Sequence, residues 1–438
     1  MNWRKPIIYL ALYASGSKIP QYLREIRRVA SLPDEQKKAY QDEKLKKLLL
    51  HASKNVPYYA RILPECGVVQ GDTVDLTKFA DIPILTKDTI RREGENMYSK
   101  DKNKRKPYEN TSGGSTGEPV RFLQDKEYSD WNIANKIFYK EVGGHFMGER
   151  ELRFWGSERD LLEGNESPKI RLRNWLYNRR EFNTFKMSEA QMREYVTKWN
   201  EYKPQWVEAY VQSIYEFARF LEANNLTVSA PRGVLTSAGT LYPEMRSTIE
   251  KVLGCKVYNR YGSREVGDAA IGIKNTSMML SIWNQYLEVL NNQFTNIHNG
   301  IGKIYITTLN NFSMPMIRYD IGDMGTIEEG RFSNVEGREM SVFKRRDGSF
   351  VPAEFFIHFV GVVYNQGFIS KFQAIQKDYD LIDLRVVVRD KVKFDKHKNE
   401  IENSIILVMG KSCQIKWTEV AEIEPSKSGK YLYTICEI

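Results

Sequence analysis

Cysteine and histidine are scarce in this chain, with four and five copies among 438 residues. Cys66, Cys255, Cys413 and Cys436 are scattered without a CxxC pair, which argues against a structural zinc site. A reducing compartment is the simplest account of such thiols. The N-terminal stretch Pro6 to Ala14 is apolar but far short of the about 20 residues that span a bilayer. It has the length of a signal-peptide core, yet no small-residue cleavage site clearly follows it. Basic residues do follow, at Arg24, Arg27 and Arg28. The stretch therefore reads as an arm packed on the protein's own body, or as an interfacial helix in weak peripheral contact with a membrane. A cytoplasmic protein is expected. Repeats and low-complexity linkers are also missing, which excludes solenoids and tethered arrays.

What remains is an ordinary globular composition, 41% hydrophobic and 28% charged, in a chain long enough for two or more domains. The net charge of +9 is unevenly spread, with Lys100, Lys102, Lys104, Arg105 and Lys106 in one run. Such a run is either a solvated loop or a polyanion or membrane contact. No aromatic residue is interleaved to stack bases, so nucleic acid is not an expected partner. Apolar stripes with helical spacing occur at Leu45, Leu48, Leu49 and Ala52, at Trp131, Ala134 and Phe138, and at Met192, Tyr195, Val196 and Trp199. Two more follow, Ile214, Phe217, Ala218 and Leu221, then Met245, Ile249, Val252 and Leu253. Short apolar runs lie at 233–235, 255–258, 287–290 and 304–307. Strand, helix, strand from Val234 to Tyr258 predicts a βαβ unit, hence an α/β protein with a parallel sheet covered by helices. Beyond about residue 340 an alternating strand around Leu384, Val386 and Val388 precedes a helix over 395–409 and a strand over 414–420. This predicts a small α+β unit, joined through the polar stretch 337–348.

The chemistry concentrates in a few segments. Thr111-Ser112-Gly113-Gly114-Ser115-Thr116-Gly117-Glu118-Pro119 combines three glycines with four hydroxyls. Its backbone can turn tightly and aim N–H groups inward, as a polyphosphate nest does, although a plain surface linker has the same composition. It is not a Walker A loop, because no Gly-Lys-Ser/Thr ends it. Tyr258-Asn259-Arg260-Tyr261-Gly262-Ser263-Arg264-Glu265-Val266-Gly267 follows a predicted strand, where α/β proteins bind ligands. There a ring beside glycine could cover a purine, and a carboxylate four residues on could hold Mg²⁺. In Arg318-Tyr319-Asp320-Ile321-Gly322-Asp323 a carboxylate in a glycine turn could accept both ribose hydroxyls; an Asx-type turn is the plainer reading. Gly337-Arg338 stands at the joint, and Pro425-Ser426-Lys427-Ser428-Gly429-Lys430 lies near the C-terminus.

In order and spacing these segments resemble the adenylate-forming superfamily of acyl-CoA synthetases and peptide-synthetase adenylation domains. The phenylacetate-CoA ligase family is the nearest likeness, in its branch associated with capsular and other cell-surface polysaccharides. The segment Leu50-His51-Ala52-Ser53-Lys54-Asn55-Val56-Pro57-Tyr58-Tyr59 is similar to that branch as well. The resemblance implies a large N-terminal adenylation domain, residues 1–338, with parallel sheets and helices, and a small mobile α+β lid, residues 339–438. It implies an AMP-forming ligase that uses ATP and Mg²⁺ to activate a small carboxylic acid. Ser112, Gly113, Gly114, Ser115, Thr116 and Gly117 would wrap the phosphates. Tyr261 would lie against adenine, within the nucleotide-binding run Tyr261, Gly262, Ser263 and Arg264, and Glu265 would bind the metal. Asp323 and Arg338 would hold the ribose, and Lys430 would swing in as the catalytic cation beside Glu265 and Arg338.

Three departures from the family pattern stand out. Ser341 falls where many relatives carry an acidic hinge residue, and Arg264 where much of the superfamily has threonine. Some relatives carry a Cys/His metal cluster after the Tyr-Gly motif, whereas 268–290 contains neither residue. By the same analogy Trp155 and Tyr210 would wall the acid pocket together with Ser237, Ala238 and Gly239, although core packing explains the two rings equally well. Coenzyme A is the default acceptor. A sugar or amine acceptor without CoA, giving an acyltransferase or amide synthase, is the alternative, and a catalytically inactive nucleotide-binding regulator is the third reading. The acid and the oligomeric state are not legible.

Overall fold

The computed structural model describes residues 2–111, 120–155, 168–183, 189–274, 277–338, 343–346, 350–351, 356, 360, 368–424 and 432–438. Residues 112–117, Ser341 and Lys430 lie outside the described residues, and of Arg338 only the backbone is described.

The chain opens with three helices, α1 (Arg4–Ala14), α2 (Ile19–Ala30) and α3 (Asp34–Asn55). A hairpin of β1 (Tyr108–Thr111) and β2 (Arg121–Gln124) leads into α4 (Lys126–Val142). Asp125 caps α4 by accepting from the Tyr128 backbone N–H, so the strand ends where the helix begins. Next come β3 (Glu151–Trp155), α5 (Pro168–Leu176), β4 (Arg179–Asn183) and α6 (Glu189–Tyr202). They are followed by β5 (Trp206–Tyr210), α7 (Val211–Ala223) and β6 (Gly233–Ser237). The predicted βαβ unit continues through α8 (Pro243–Leu253) to β7 (Lys256–Ser263). Proline opens α8 and Gly254, at φ +65°, closes it, each in the conformation that suits it.

β8 (Gly267–Lys274) and β9 (Ser277–Leu280) complete a seven-stranded sheet in the order β9-β8-β7-β6-β5-β3-β4. It is parallel from β4 to β7 and antiparallel beyond. Alternation along its strands explains why helices cover both faces. Val207, Ala209, Val234 and Val257 face α6, α7 and α8 in one core, whereas Trp206, Leu235 and Tyr258 face α2 and α4 in another. All five helical stripes read from the sequence lie on helices, and nearly all their residues are buried. Each fully buried large side chain contributes roughly 1.5–3 kcal/mol.

A second, antiparallel sheet runs β10-β11-β12-β13, from β10 (Gln285–Leu290), β11 (Gly300–Thr308), β12 (Tyr319–Glu328) and β13 (Arg331–Arg338). A third core, of α3 residues with Val289, Ile304, Ile306, Met316 and Tyr319, joins it to Tyr261 of the first sheet. The C-terminal segment forms β14 (Ile369–Asp378), β15 (Leu381–Val388), α9 (Lys391–Met409), β16 (Gln414–Glu419) and β17 (Thr434–Cys436). Its sheet runs β16-β15-β14-β17, an α+β unit as expected, with α9 four residues longer at its start than its apolar pattern suggests because Asp390 caps it. The basic run around Lys102 is a 3-10 turn. Arg105 is paired there with Asp101 at 2.8 Å, and the Lys102 ammonium lies 4.4 Å from the Tyr98 ring.

Candidate active site

The parallel strands end along one edge, and several residues singled out from the sequence stand on it. Trp155 ends β3, Tyr210 ends β5 and Ser237 ends β6. Register sets them side by side: Phe154 pairs with Ala209, Tyr210 with Ser237, and Thr236 with Asn259, two residues before Tyr261. The Trp155 and Tyr210 rings meet with centroids 4.1 Å apart. Ala238 takes φ +63°, a left-handed conformation that costs a non-glycine residue of order 1–3 kcal/mol and concentrates at functional sites. Gly239 turns the chain beside Val211 at the start of α7. The carboxyl edge of a parallel sheet is where such folds bind ligands.

The Tyr-Gly segment is the tip of the β7–β8 hairpin. Gly262 lies so close to the opposite strand that a Cβ would sit 2.3 Å from the Gly267 carbonyl oxygen. Only glycine fits there. The Ser263 hydroxyl is buried without a hydrogen-bond partner among the described residues, an orphan donor of the kind a ligand satisfies. Arg264 is exposed and Glu265 is buried. The tip is held from behind: Gln124 Nε2 donates to the Arg264 carbonyl at 2.7 Å, and Tyr128 Oη donates to that of Glu265 at 3.2 Å.

Gln124 ends β2, whose partner is β1, with Thr111 opposite Arg121. Both anchors of the glycine-rich connection therefore belong to one hairpin, and that hairpin is bonded to the Tyr-Gly tip.

Asp323 reaches the same place from the second sheet. Tyr261 Oη donates to Asp323 Oδ2 at 3.0 Å, and Asp323 pairs across β12–β13 with Arg338. Tyr261 and Asp323 thus meet from separate segments, with the backbone of Arg338 opposite Asp323. The glycine turn expected around Asp323 is in fact a bulge within β12. Tyr305 faces Asp320 and Lys303 faces Met324, which leaves Ile321, Gly322 and Asp323 opposite Ile304 alone. Gly322 takes φ +76°, and its N–H donates to Asp320 Oδ1 at 2.9 Å, so the Asx-type contact is made by Asp320. Bulges re-aim side chains in this way beside active sites. Arg318, in the same motif, faces inward and pairs with Glu288 at 3.1 Å.

One constellation was not anticipated. Lys140 Nζ lies between Glu151, at 2.8 Å, and Glu208, at 3.1 Å. Glu208 also meets Arg260 at 2.9 Å and Arg153 at 3.5 Å, while Arg179 meets Glu151 at 3.0 Å. Burial alone would raise both glutamates. Lys140, Arg153 and Arg260 around Glu208, and Arg179 and Lys140 around Glu151, outweigh it and hold both well below the ordinary range. The available signal was charged residues inside short apolar runs, as in Leu152-Arg153-Phe154 and Val207-Glu208-Ala209.

Among the described residues no cluster of three or more His, Cys, Asp or Glu could hold a metal. Glu265 is a single carboxylate, enough only for an ion shared with a ligand's own oxygens.

The architecture, a large α/β body with a small α+β unit after it, is a fold shared with solved acyl-CoA ligases. Residues 343–437 match the family model of the CapK C-terminal domain. Nearly the whole chain is similar to the Protein CapK of Staphylococcus aureus, 23% identical over 432 residues, 95% of this chain and 92% of that one. Among solved structures it is similar to 2-hydroxyisobutyryl-CoA ligase in the postadenylation state with R3-HIB-AMP. The TM-score is 0.71 and the identity 17%, covering 93% of this chain and 91% of that one. For the same ligase with 2-HIB-AMP and CoA in the thioesterification state the TM-score is 0.57 at 18% identity, with coverage again 93% and 91%. The amide bond synthetase McbA from Marinactinospora thermotolerans gives a TM-score of 0.52 at 13% identity, over 73% of this chain and 66% of that one. These similarities bear out the resemblance drawn from the motifs, that of an adenylate-forming protein of the capsule-associated type.

Removing the charge of Glu208 leaves buried cations uncompensated. Glu208→Gln should destabilise the protein by about 3–5 kcal/mol in urea denaturation. Because the glutamates titrate below their unfolded value, their contribution is complete above about pH 4.5 and is lost as the pH falls further. A change under about 1 kcal/mol in the variant would show that the network is not a stabilising element.

Proposed function

We propose that this chain is an AMP-forming ligase that activates a small carboxylic acid with ATP, releases pyrophosphate, and passes the acyl group to an acceptor, by default coenzyme A. The observation that supports this most is the hydrogen bond between Tyr261 and Asp323, which two separate motifs supply, with the Arg338 backbone paired opposite Asp323. In this reading residues 112–117 wrap the β- and γ-phosphates, with Gly262, Ser263 and Arg264 beside them. Tyr261, packed 6.3 Å from Phe332, offers adenine a preset surface, and Asp323, aimed by the bulge, accepts from the ribose hydroxyls with Arg338 next to it. A Mg²⁺ ion held by Glu265 would neutralise phosphate charge. The acid would enter between Trp155, Tyr210 and the Ser237, Ala238 and Gly239 turn.

Adenylation joins two anions: a carboxylate oxygen attacks the α-phosphorus while its bond to pyrophosphate breaks. A cation placed where negative charge builds lowers that barrier most. Lys430 is proposed for this role, carried by a lid of residues 339–438 that closes on a body of residues 1–338. The described neighbours support it. Tyr433, three residues after Lys430, meets Tyr242 edge-on at 6.1 Å, and Tyr242 follows Gly239 by three residues. The higher likeness to the postadenylation state accords with a lid placed for the first half-reaction.

Transfer to an amine or a sugar without CoA is the second reading, favoured by the similarity to an amide bond synthetase and to CapK. An inactive regulator is disfavoured by the presence of Glu265, Asp323 and Lys430 together.

Asp323→Ala should weaken ATP binding by about tenfold to a hundredfold in calorimetry, because a charged hydrogen bond contributes about 1.5–3 kcal/mol. Tyr261→Phe, which removes only the hydroxyl, should weaken it less. Equal affinity in wild type and Asp323→Ala would remove the ribose assignment. Lys430→Ala should cut pyrophosphate exchange by about a hundredfold or more with little change in ATP affinity. It should still transfer acyl groups from a supplied acyl-adenylate. Undiminished exchange would refute the role of Lys430, and equal loss of both half-reactions would argue against a moving lid.

A further inference from the structure

The helix α1 is anchored on one side only. Ile8 is fully buried, Tyr9 and Leu12 pack against the core of α2 and α4, and the Asn2 side chain donates to the Met147 carbonyl at 2.8 Å. The opposite side carries Trp3, Ile7, Leu10 and Tyr13, all exposed, Leu10 at 69%. Spacings of four and three residues place Trp3, Ile7 and Leu10 on one face, and Pro6, Ala11 and Ala14 beside them are exposed too. That face carries no charge at all.

A second helix extends the patch. In α5, Leu176 packs inward while Leu172 and Trp175 are 64% and 57% exposed. The Trp3 and Trp175 rings lie 6.1 Å apart, so the two helices present one continuous surface, and exposed Phe146 joins it beside Lys5. A soluble surface rarely gathers this many large apolar side chains without a partner.

The two helices of the patch carry charge of one sign, and Glu149, which accepts from the Phe146 backbone N–H, is paired with Arg232. Residues 2–24 contain no Asp or Glu, and neither do residues 168–180. The Arg4 guanidinium lies 4.5 Å from the Trp3 ring and 5.8 Å from the Trp175 ring, the Lys5 ammonium 4.9 Å from Phe146. Arg171 and Arg173 are exposed on α5.

We propose that α1 and α5 form a docking face for an anionic lipid bilayer. Tryptophans and leucines on a helix lying in the interface, flanked by arginines and lysines, are what such a surface recognises: the apolar side chains enter the headgroup boundary and the cations meet the lipid phosphates. A protein partner would call for a rim patterned in both signs, whereas α1 and α5 carry only cations and the carboxylate beside Phe146, that of Glu149, is already paired with Arg232. With α1 in the interface plane, the enzyme sits on the membrane rather than spanning it, in keeping with the finding that no described helix is long and apolar enough to cross.

Sedimentation of the full-length protein with vesicles tests this, using phosphatidylcholine alone and phosphatidylcholine with about 30% phosphatidylglycerol. Binding is expected to the anionic vesicles, to weaken as salt is raised, and to fall by about tenfold or more in Leu10→Glu/Leu172→Glu. Arg171→Glu/Arg173→Glu, which leaves the apolar face intact, should weaken it as well, and exposed positions of this kind should leave the thermal midpoint unchanged. The proposal is overturned if wild type ignores anionic vesicles, or if both variants bind them like wild type. It is equally overturned if the patch variants abolish self-association in sedimentation equilibrium while vesicle binding is absent, since the occupant is then a second copy of the chain.

Discussion

The ion cluster centred on Lys140 is the constraint from which much else in the large sheet follows. It ties α4 to β3 and β5 and, through Arg260, to β7, the strand that carries Tyr261. Buried charges tolerate little displacement, because each loses its hydration and keeps only its partners. Strands bound in this way cannot slip in register without breaking ion pairs, so Trp155, Tyr210 and Tyr261 stay aligned along the edge. The cluster lies just behind that edge: Glu208 is two residues from Tyr210, and Arg153 is two residues from Trp155, with its guanidinium 4.8 Å from that ring.

Around that frame the site divides its work between two sheets. The parallel sheet supplies the edge with Trp155, Tyr210 and the strained Ala238, while the antiparallel sheet supplies Asp323 from a bulge. Contact between Tyr261 and Asp323 closes the seam. A nucleoside held there would rest on side chains ordered in advance, which limits the entropy lost on binding.

Much of this was legible because it rests on local signals. The helical stripes are amphipathic over two or more turns, and the βαβ unit from Val234 to Tyr258 has proline and glycine at the ends of its helix. The motifs at Tyr261 and Asp323 named residues that do meet, although no pairing rule could have shown it: their contact depends on how two sheets pack. Other parts were hidden for physical reasons. β3 and β5 carry Glu151, Arg153 and Glu208 inside, and buried ion pairs erase the apolar run that marks a central strand. β12 looked like a turn because Gly322 and two aspartates are turn residues, and they serve here to make a bulge. For α1 the sequence left a packed arm and an interfacial helix both open, since an apolar helix reads the same whether its outer side is covered or bare.

The central claim is that this site makes an acyl-adenylate. Hydroxylamine trapping tests it most directly, because it intercepts the activated acyl group whatever the natural acceptor. Incubating the full-length protein with ATP, Mg²⁺, hydroxylamine and a panel of small carboxylic acids should yield a hydroxamate together with stoichiometric AMP and pyrophosphate for at least one acid. Release of ADP and phosphate in place of AMP and pyrophosphate, or no acid-dependent turnover while ATP binds normally, would contradict the account.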